Sequence, residues 1–203
     1  RLARPTAEEE LLRVKALAEA KLEADAEKSA DALIASLGKA ERWNATGCEA
    51  SFWRAKAISL KRESARAAEA FDAVVEHCKA DDDLLARSLY LAGKHAAADG
   101  KKMQAAQRYG ELEKLLPKHR LADDARMGAA LAYFDLGIEA RFTELLSTIM
   151  EDYPEGDIVL DAVFRLALRR IEKGDWPGAA NVLGKVAATI AKNDSARGTE
   201  HSG

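Results

Sequence analysis

Net charge of one sign, aromatic side chains and unbroken apolar runs are all scarce in this 203-residue chain. Each scarcity closes off a class of protein. The 31 basic and 34 acidic residues are interspersed and leave a net charge of only −3, so no field of one sign exists to gather a polyanion, and nucleic acid is not expected as a partner. No apolar run approaches the roughly 18 to 20 residues that span a bilayer, which excludes a transmembrane helix from the sequence reading. Aromatic residues make up 6% of the chain and proline occurs four times. β-branched residues never alternate with polar ones over a sustained stretch, so strands have no support. Four histidines, His77, His95, His119 and His201, and two cysteines show no metal-ligand spacing. Neither a metal nor a cofactor is expected. Also missing are a glycine-rich phosphate cradle, a nucleotide fingerprint and a nucleophile beside a base, so no catalytic residue is assigned.

What the chain does contain is a period. A small residue recurs at Ala18, Ala55, Gly93, Ala130 and Ala167, at intervals of 37, 38, 37 and 37. Seven residues after each stand Asp25, Arg62, Gly100, Gly137 and Gly174, where a first helix must end and a second begin. Three of these are glycine, the residue that most readily takes the left-handed conformation of a helix end. Two further columns follow in the same register: Ala30, Ala67, Ala105, Phe142 and Ala179, then Ile34, Phe71, Tyr109, Leu146 and Leu183. These last two columns lie four apart, one turn along the same helical face. Pro117 and Pro154 repeat the interval where the second helix should stop, since proline cannot continue the hydrogen-bond ladder. The fold class that follows is all-α, a solenoid of about five helix pairs in which each unit buries its apolar stripe only against its neighbours.

The expected pairs are 8–24 with 26–38, 48–61 with 64–78, 84–99 with 101–115, 121–136 with 139–153, and 158–173 with 177–192. Residues 1–192 then form one repeat domain and 193–203 a flexible tail without periodicity. The stretch 38–47, with Trp43 and Asn44, is the least helical of the interior and is expected to bend the superhelix. Leu183, Val186 and Ile190, with Val182 widening the strip, suggest further repeats beyond this segment. The opening residue, Arg1, suggests a processed or trimmed segment.

First helices line the concave surface of stacked pairs. On that surface the spacing sets Phe52, Lys56, Tyr90, Lys94, Met127, Leu131, Phe134, Phe164 and Leu168 as groove candidates, half of which could equally be inter-repeat core. Of Phe52 and Trp53, one faces the core and the other the groove; Trp176 reads as packing. Cys48 opens one helix and Cys78 closes its antiparallel partner, so a hairpin turning near Arg62 brings them together. Either they form a disulfide, which requires an oxidising compartment, or they are two buried thiols. The acidic runs, Asp81 to Asp83 and Asp123 with Asp124, fall at helix starts, where capping and the helix dipole account for them.

The recurrent small residue, the Gly-Asp-Trp-x-x-Ala form at 174–179 and the terminal proline resemble tetratricopeptide-like (TPR-like) repeats, although the period of 37 exceeds the roughly 34 residues of the usual unit. More narrowly, the connections Leu-Pro-Lys-His-Arg-Leu-Ala-Asp-Asp-Ala at 116–125 and Tyr-Pro-Glu-Gly-Asp-Ile-Val-Leu-Asp-Ala-Val-Phe-Arg-Leu-Ala at 153–167 are similar to the superhelical region of bacterial soluble lytic transglycosylases. That resemblance implies a non-catalytic arm of a peptidoglycan-processing enzyme, with the catalytic domain outside this chain and a periplasmic or cell-envelope setting. The partner would be a murein glycan strand, or a protein or peptide. Glu63-Ser64 matches the family's catalytic Glu-Ser dipeptide but lies in a repeat turn without the neighbouring motifs, and is not taken as the acid. The alternative is an envelope protein-protein scaffold that grips an extended peptide in its groove.

Overall fold

The first turn of a helix leaves N–H groups without intrahelical partners, and on the first helices of the first three pairs a different side chain caps each. In the computed structural model, which describes the backbone of residues 4–200 and side chains as far as 188, Thr6 and Glu9 close a reciprocal capping box on α1 (Ala7–Glu19). It pairs with α2 (Glu23–Ser36), after which comes the short α3 (Gly38–Glu41). Asn44 caps α4 (Ala45–Leu60), which pairs with α5 (Ser64–His77), and Asp81 caps α6 (Asp82–Ala98), which pairs with α7 (Lys102–Leu115). The fourth pair is α8 (Ala122–Asp135) with α9 (Glu139–Ser147) and the one-turn α10 (Ile149–Asp152). The fifth is α11 (Val159–Glu172) with α12 (Trp176–Glu200), whose start is held by the Asp175 carboxylate accepting from the Gly178 N–H. No strand occurs among the described residues. The expected tail from 193 falls on residues whose side chains are not described, and 201–203, His201 among them, lie outside the described residues altogether.

Within each pair the turn is made by one residue in the left-handed region: Gly100 at φ 81°, Gly137 at 73°, Gly174 at 76° and, without glycine, Arg62 at 62°. After the glycines the next N–H reaches back to a carbonyl five residues earlier, as in Lys101 to Ala96, Ile138 to Tyr133 and Asp175 to Arg170, each at 2.9 Å. This bond uses carbonyls that the helix end would otherwise leave bare. Pro117 and Pro154 follow the ends of α7 and α10, as the interval predicts.

The first pair departs from the expected register. Its left-handed turn residue is Lys21, at φ 58°, with the Leu22 N–H bonded to the Leu17 carbonyl at 2.9 Å, and Asp25 lies inside α2. The interval from Lys21 to Arg62 is therefore 41, three to four longer than the rest, and α3 takes up the difference. A shift of four residues turns a helix by only about 40°, and Val14, Ala18, Ala26 and Ala30 are all buried, so the alanine-rich face reads alike in either register. In the stretch 38–47, Trp43 packs on the next hairpin, stacked on His77 with ring centroids 4.3 Å apart.

Cohesion runs between neighbours. α4 packs on α1, α2 and α5, α6 on α5 and α7, and α8 on α7 and α9. In the column of large residues Phe71, Tyr109 and Leu146 are buried between successive pairs as the spacing predicts, whereas Ile34 is half-buried and Leu183 is exposed at the two ends of the array. Tyr109 fits only because Gly93 on α6 and Gly128 on α8 carry no side chain. A Cβ at either would sit 2.9 Å or 2.7 Å from its ring, inside ordinary carbon contact of about 3.5 Å. Ion pairs link the second helices on the outside, among them Arg108 to Asp72 at 2.8 Å and Arg66 to Glu27 at 2.7 Å.

Candidate functional site

Counting back from each turn residue sorts all the groove candidates but Phe134 into two columns with different fates. Ten residues before the turn stand Phe52, Tyr90, Met127 and Phe164. Phe52 and Met127 are only 2% and 4% exposed, and they are inter-repeat core, not groove. The cause is the following pair: Arg87 of α6 lies over the Phe52 ring at 4.7 Å, and Met127 packs with Val159, Ala162 and Val163 of α11. Tyr90 is half-buried against Tyr109. Phe164 is 53% exposed, because no later first helix among the described residues covers it.

Six residues before the turn the side chains do reach solvent, and they change character along the array. Lys15, Lys56 and Lys94 occupy this column in the first three pairs, Leu131 and Leu168 in the last two. Lys15 is held by Glu49 at 3.1 Å, whereas Lys56 and Lys94 form no ion pair among the described residues. His95 lies beside these two lysines, buried and stacked on Phe71 with centroids 5.9 Å apart. Burial, and then the charges of Lys94 and Lys56, press its pKa down and keep the imidazole neutral.

The apolar half contains a hollow of about 150 Å³ between α8 and α11, lined by Leu131, Phe134, Phe142 and Leu168 with Arg165, Arg169 and Glu172 at the rim. Phe134 and Leu168 remain 41% and 42% exposed, which leaves a slot for one apolar side chain. The rim is rigid. Arg169 donates to both oxygens of Glu139 at 2.7 and 2.8 Å and lies over the Phe134 ring at 5.3 Å. Its hydrogen bonds, then those of Lys173, hold the Glu139 carboxyl down at about 2. Arg165, Arg169 and Lys173 follow one another at four-residue spacing along one face of α11 and its C-cap, and inter-repeat packing brings Arg165 and Arg169 to the slot.

The remaining candidates have structural roles. Cys48 and Cys78 form a disulfide with Cα atoms 5.7 Å apart, closing the second hairpin where α4 begins and α5 ends. Glu63 is hydrogen-bonded by Lys61, then by Arg66, and both hold its carboxyl below the usual range. A general acid needs the opposite shift. His119 bridges connections, accepting from the Leu121 N–H at 3.2 Å while its other nitrogen meets Asp83 at 3.3 Å. Trp53 packs against Ala18 and Ala26 of the first pair with Ala57 of its own helix, and also against the core of its own hairpin. Trp176 is a correction: it is 64% exposed at the start of α12, because the turn is held by Gly174 and the Asp175 cap without it.

Left-handed turns at a fixed interval, nearest-neighbour packing and a solvent-facing ladder on the first helices define a TPR-like superhelix. Solved structures agree with that class. A kinesin light chain of nearly identical TPR-like repeats from Podosopora anserina is 17% identical, with 92% of this chain aligned to 95% of that one at a TM-score of 0.66. YrrB, a TPR protein with an unusual peptide-binding site, is 13% identical over 97% of this chain and 92% of its own, with a TM-score of 0.64. MamA from Desulfovibrio magneticus is 16% identical, covering 91% and 97%, with a TM-score of 0.59. At these identities the likeness is one of fold. No protein-family profile and no curated protein sequence matches the chain.

Proposed function

We propose that this chain is a protein-protein interaction scaffold that holds an extended peptide along its first-helix face. The observation that carries the reading is the ladder itself: solvent-facing lysines at 56 and 94 lead into an open apolar slot between Leu131 and Leu168. A segment with acidic residues at one end and a leucine or phenylalanine at the other satisfies both halves. The peptide-binding site named for YrrB supports the same use of this fold. The Cys48–Cys78 bond favours an oxidising compartment, the periplasm or cell envelope.

Display of random peptides against the intact chain tests this. Enriched sequences should pair Asp or Glu with Leu or Phe. Leu168→Asp should weaken the best of them at least tenfold with the helical circular dichroism unchanged, as expected when a central apolar anchor of an interface is lost. A library that yields no binder, or binders indifferent to both Leu168→Asp and Lys94→Glu, refutes the reading.

A second reading, the non-catalytic arm of a lytic transglycosylase, rests on the connection sequences at 116–125 and 153–167 and on the same disulfide. Co-sedimentation with purified murein sacculi separates the two. Retention that depends on Lys56 and Lys94 favours the arm, and its absence alongside peptide binding favours the scaffold.

A further inference from the structure

Away from the groove, the two proline-bearing connections meet around a cavity of about 530 Å³, lined by residues from Pro117 to Asp124 and from Asp152 to Asp157. Asp123 and Asp124 stand in the first turn of α8, and Asp157 comes from the connection before α11. One carboxylate oxygen from each lies within 4.8 Å of the other two. The α8 dipole favours one negative charge near its first turn, but three anions at this separation repel. The pKa of Asp124 is raised by burial, then by Asp123 and Asp157, and Arg120 opposes this only through space, without an ion pair. His119 at the same wall is engaged with Asp83 and the Leu121 N–H.

Asp123 adds a second observation. It is 95% buried, being 5% exposed, yet its carboxylate accepts no hydrogen bond and forms no ion pair among the described residues. Its oxygen is turned toward the other connection: a Cβ on Gly156 would lie 2.4 Å from Asp123 Oδ2. The glycine therefore makes room for a carboxylate that no protein donor satisfies. The residue is buried as a whole, but its carboxylate opens on the cavity, where a bound cation can supply the partner that the protein does not.

We propose that Asp123, Asp124 and Asp157 form a divalent-cation site, and that its ion is calcium. Calcium binds oxygen ligands at about 2.3 to 2.6 Å, so oxygens on opposite sides of one ion are about 4.6 to 5.2 Å apart. The three carboxylates fit one such sphere as they stand. An all-oxygen set suits calcium or magnesium and not the transition metals that prefer nitrogen or sulfur. The open side of the cavity leaves water to complete the irregular, high coordination that calcium accepts and magnesium does not. The bound ion ties the start of α8 to the connection before α11 and sets how the fifth pair sits on the fourth.

The test uses the full chain stripped with chelator and titrated with calcium chloride by calorimetry and thermal melting. The expected result is one site with a dissociation constant of about 10⁻⁴ to 10⁻³ M, the range of weak extracellular sites, and a melting temperature that rises with calcium. Asp157→Asn, in an exposed connection, should weaken binding at least tenfold and remove the rise. Should Asp123→Asn fail to fold, Asp157→Asn alone decides. The proposal is overturned if about 10 mM calcium, well above that range, gives neither heat nor a shift. It is equally overturned if sodium chloride of equal ionic strength reproduces the shift, if Asp157→Asn binds as the parent does, or if magnesium binds more tightly than calcium.

Discussion

Two helical glycines separated by eighteen positions should respond to alanine with opposite sign. Gly110 lies in α7 with nothing within 4 Å of where a Cβ would be built. Alanine there removes only the backbone freedom that glycine has in the unfolded chain, a gain of about 0.8 to 1.0 kcal/mol. Gly128 lies in α8, and its Cβ would meet Tyr109 Cε2 and Cζ at 2.7 Å, about 0.8 Å inside ordinary carbon contact. The ring cannot retreat, because its opposite edge already rests on Gly93, where a Cβ would be 2.9 Å from Cε1. Overpacking of this kind costs about 1 to 3 kcal/mol. With the ring blocked on both edges the upper end applies, and after the helix gain about 2 kcal/mol of destabilisation remains. Thermal unfolding followed by circular dichroism should place Gly128→Ala about 4 to 8 °C below the parent and Gly110→Ala about 2 to 4 °C above it. Tyr109→Leu in the Gly128→Ala background should recover part of the loss, giving a coupling energy above about 1 kcal/mol. If Gly128→Ala melts higher, as Gly110→Ala does, Tyr109 is not clamped between the third and fourth pairs and the packing account fails.

Reducing the disulfide, or replacing Cys78 with alanine, opens a link with a sequence separation of 30 and should cost about 3 to 4 kcal/mol. Melting with and without dithiothreitol checks this, and an unchanged midpoint contradicts it. Glu139, held at about 2 by Arg169 and then Lys173, has a folded pKa below its unfolded value of about 4.3. Its stabilisation is therefore complete above the unfolded value and is lost as pH falls through the folded one. Glu139→Gln should flatten the dependence of melting temperature on pH between about 5 and 2, and a slope equal to the parent's would show that the ion pair does not matter. Arg62, the one interior turn without glycine, holds φ at 62°. Arg62→Gly should raise stability by about 0.5 to 1 kcal/mol, the left-handed strain of an L-residue less the entropy of glycine, and a drop in denaturant midpoint would count against it.

Three turn glycines made the last three pairs legible from the sequence, because a left-handed turn admits few other residues and the interval repeats without slippage. The first pair was misread by one helical turn, since alanines spaced by four bury the same face in either register and Lys21 carries no glycine to mark the end. Phe52 and Met127 looked like groove residues because helical spacing shows that a residue faces a neighbour, not whether a later helix covers it. Leu131, Phe134 and Leu168 line the slot as their spacing suggested. Arg165 and Arg169 share the face of α11 that carries Leu168, whereas the approach of Asp157 to Asp123 and Asp124 depends on how one hairpin leans on the next, which no local pattern encodes.

The covalent clasp on the second hairpin bears on how the array behaves under load. Units that adhere only to adjacent ones detach singly from an exposed end, so tension applied to the chain ends would peel away the third, fourth and fifth hairpins from one side and the first from the other. Peeling would halt at α4 and α5, whose outer ends are bolted together by Cys48 and Cys78. That hairpin would survive as a nucleus on which the others re-dock when the force is released, and in a reducing medium the same pull would run through the whole stack.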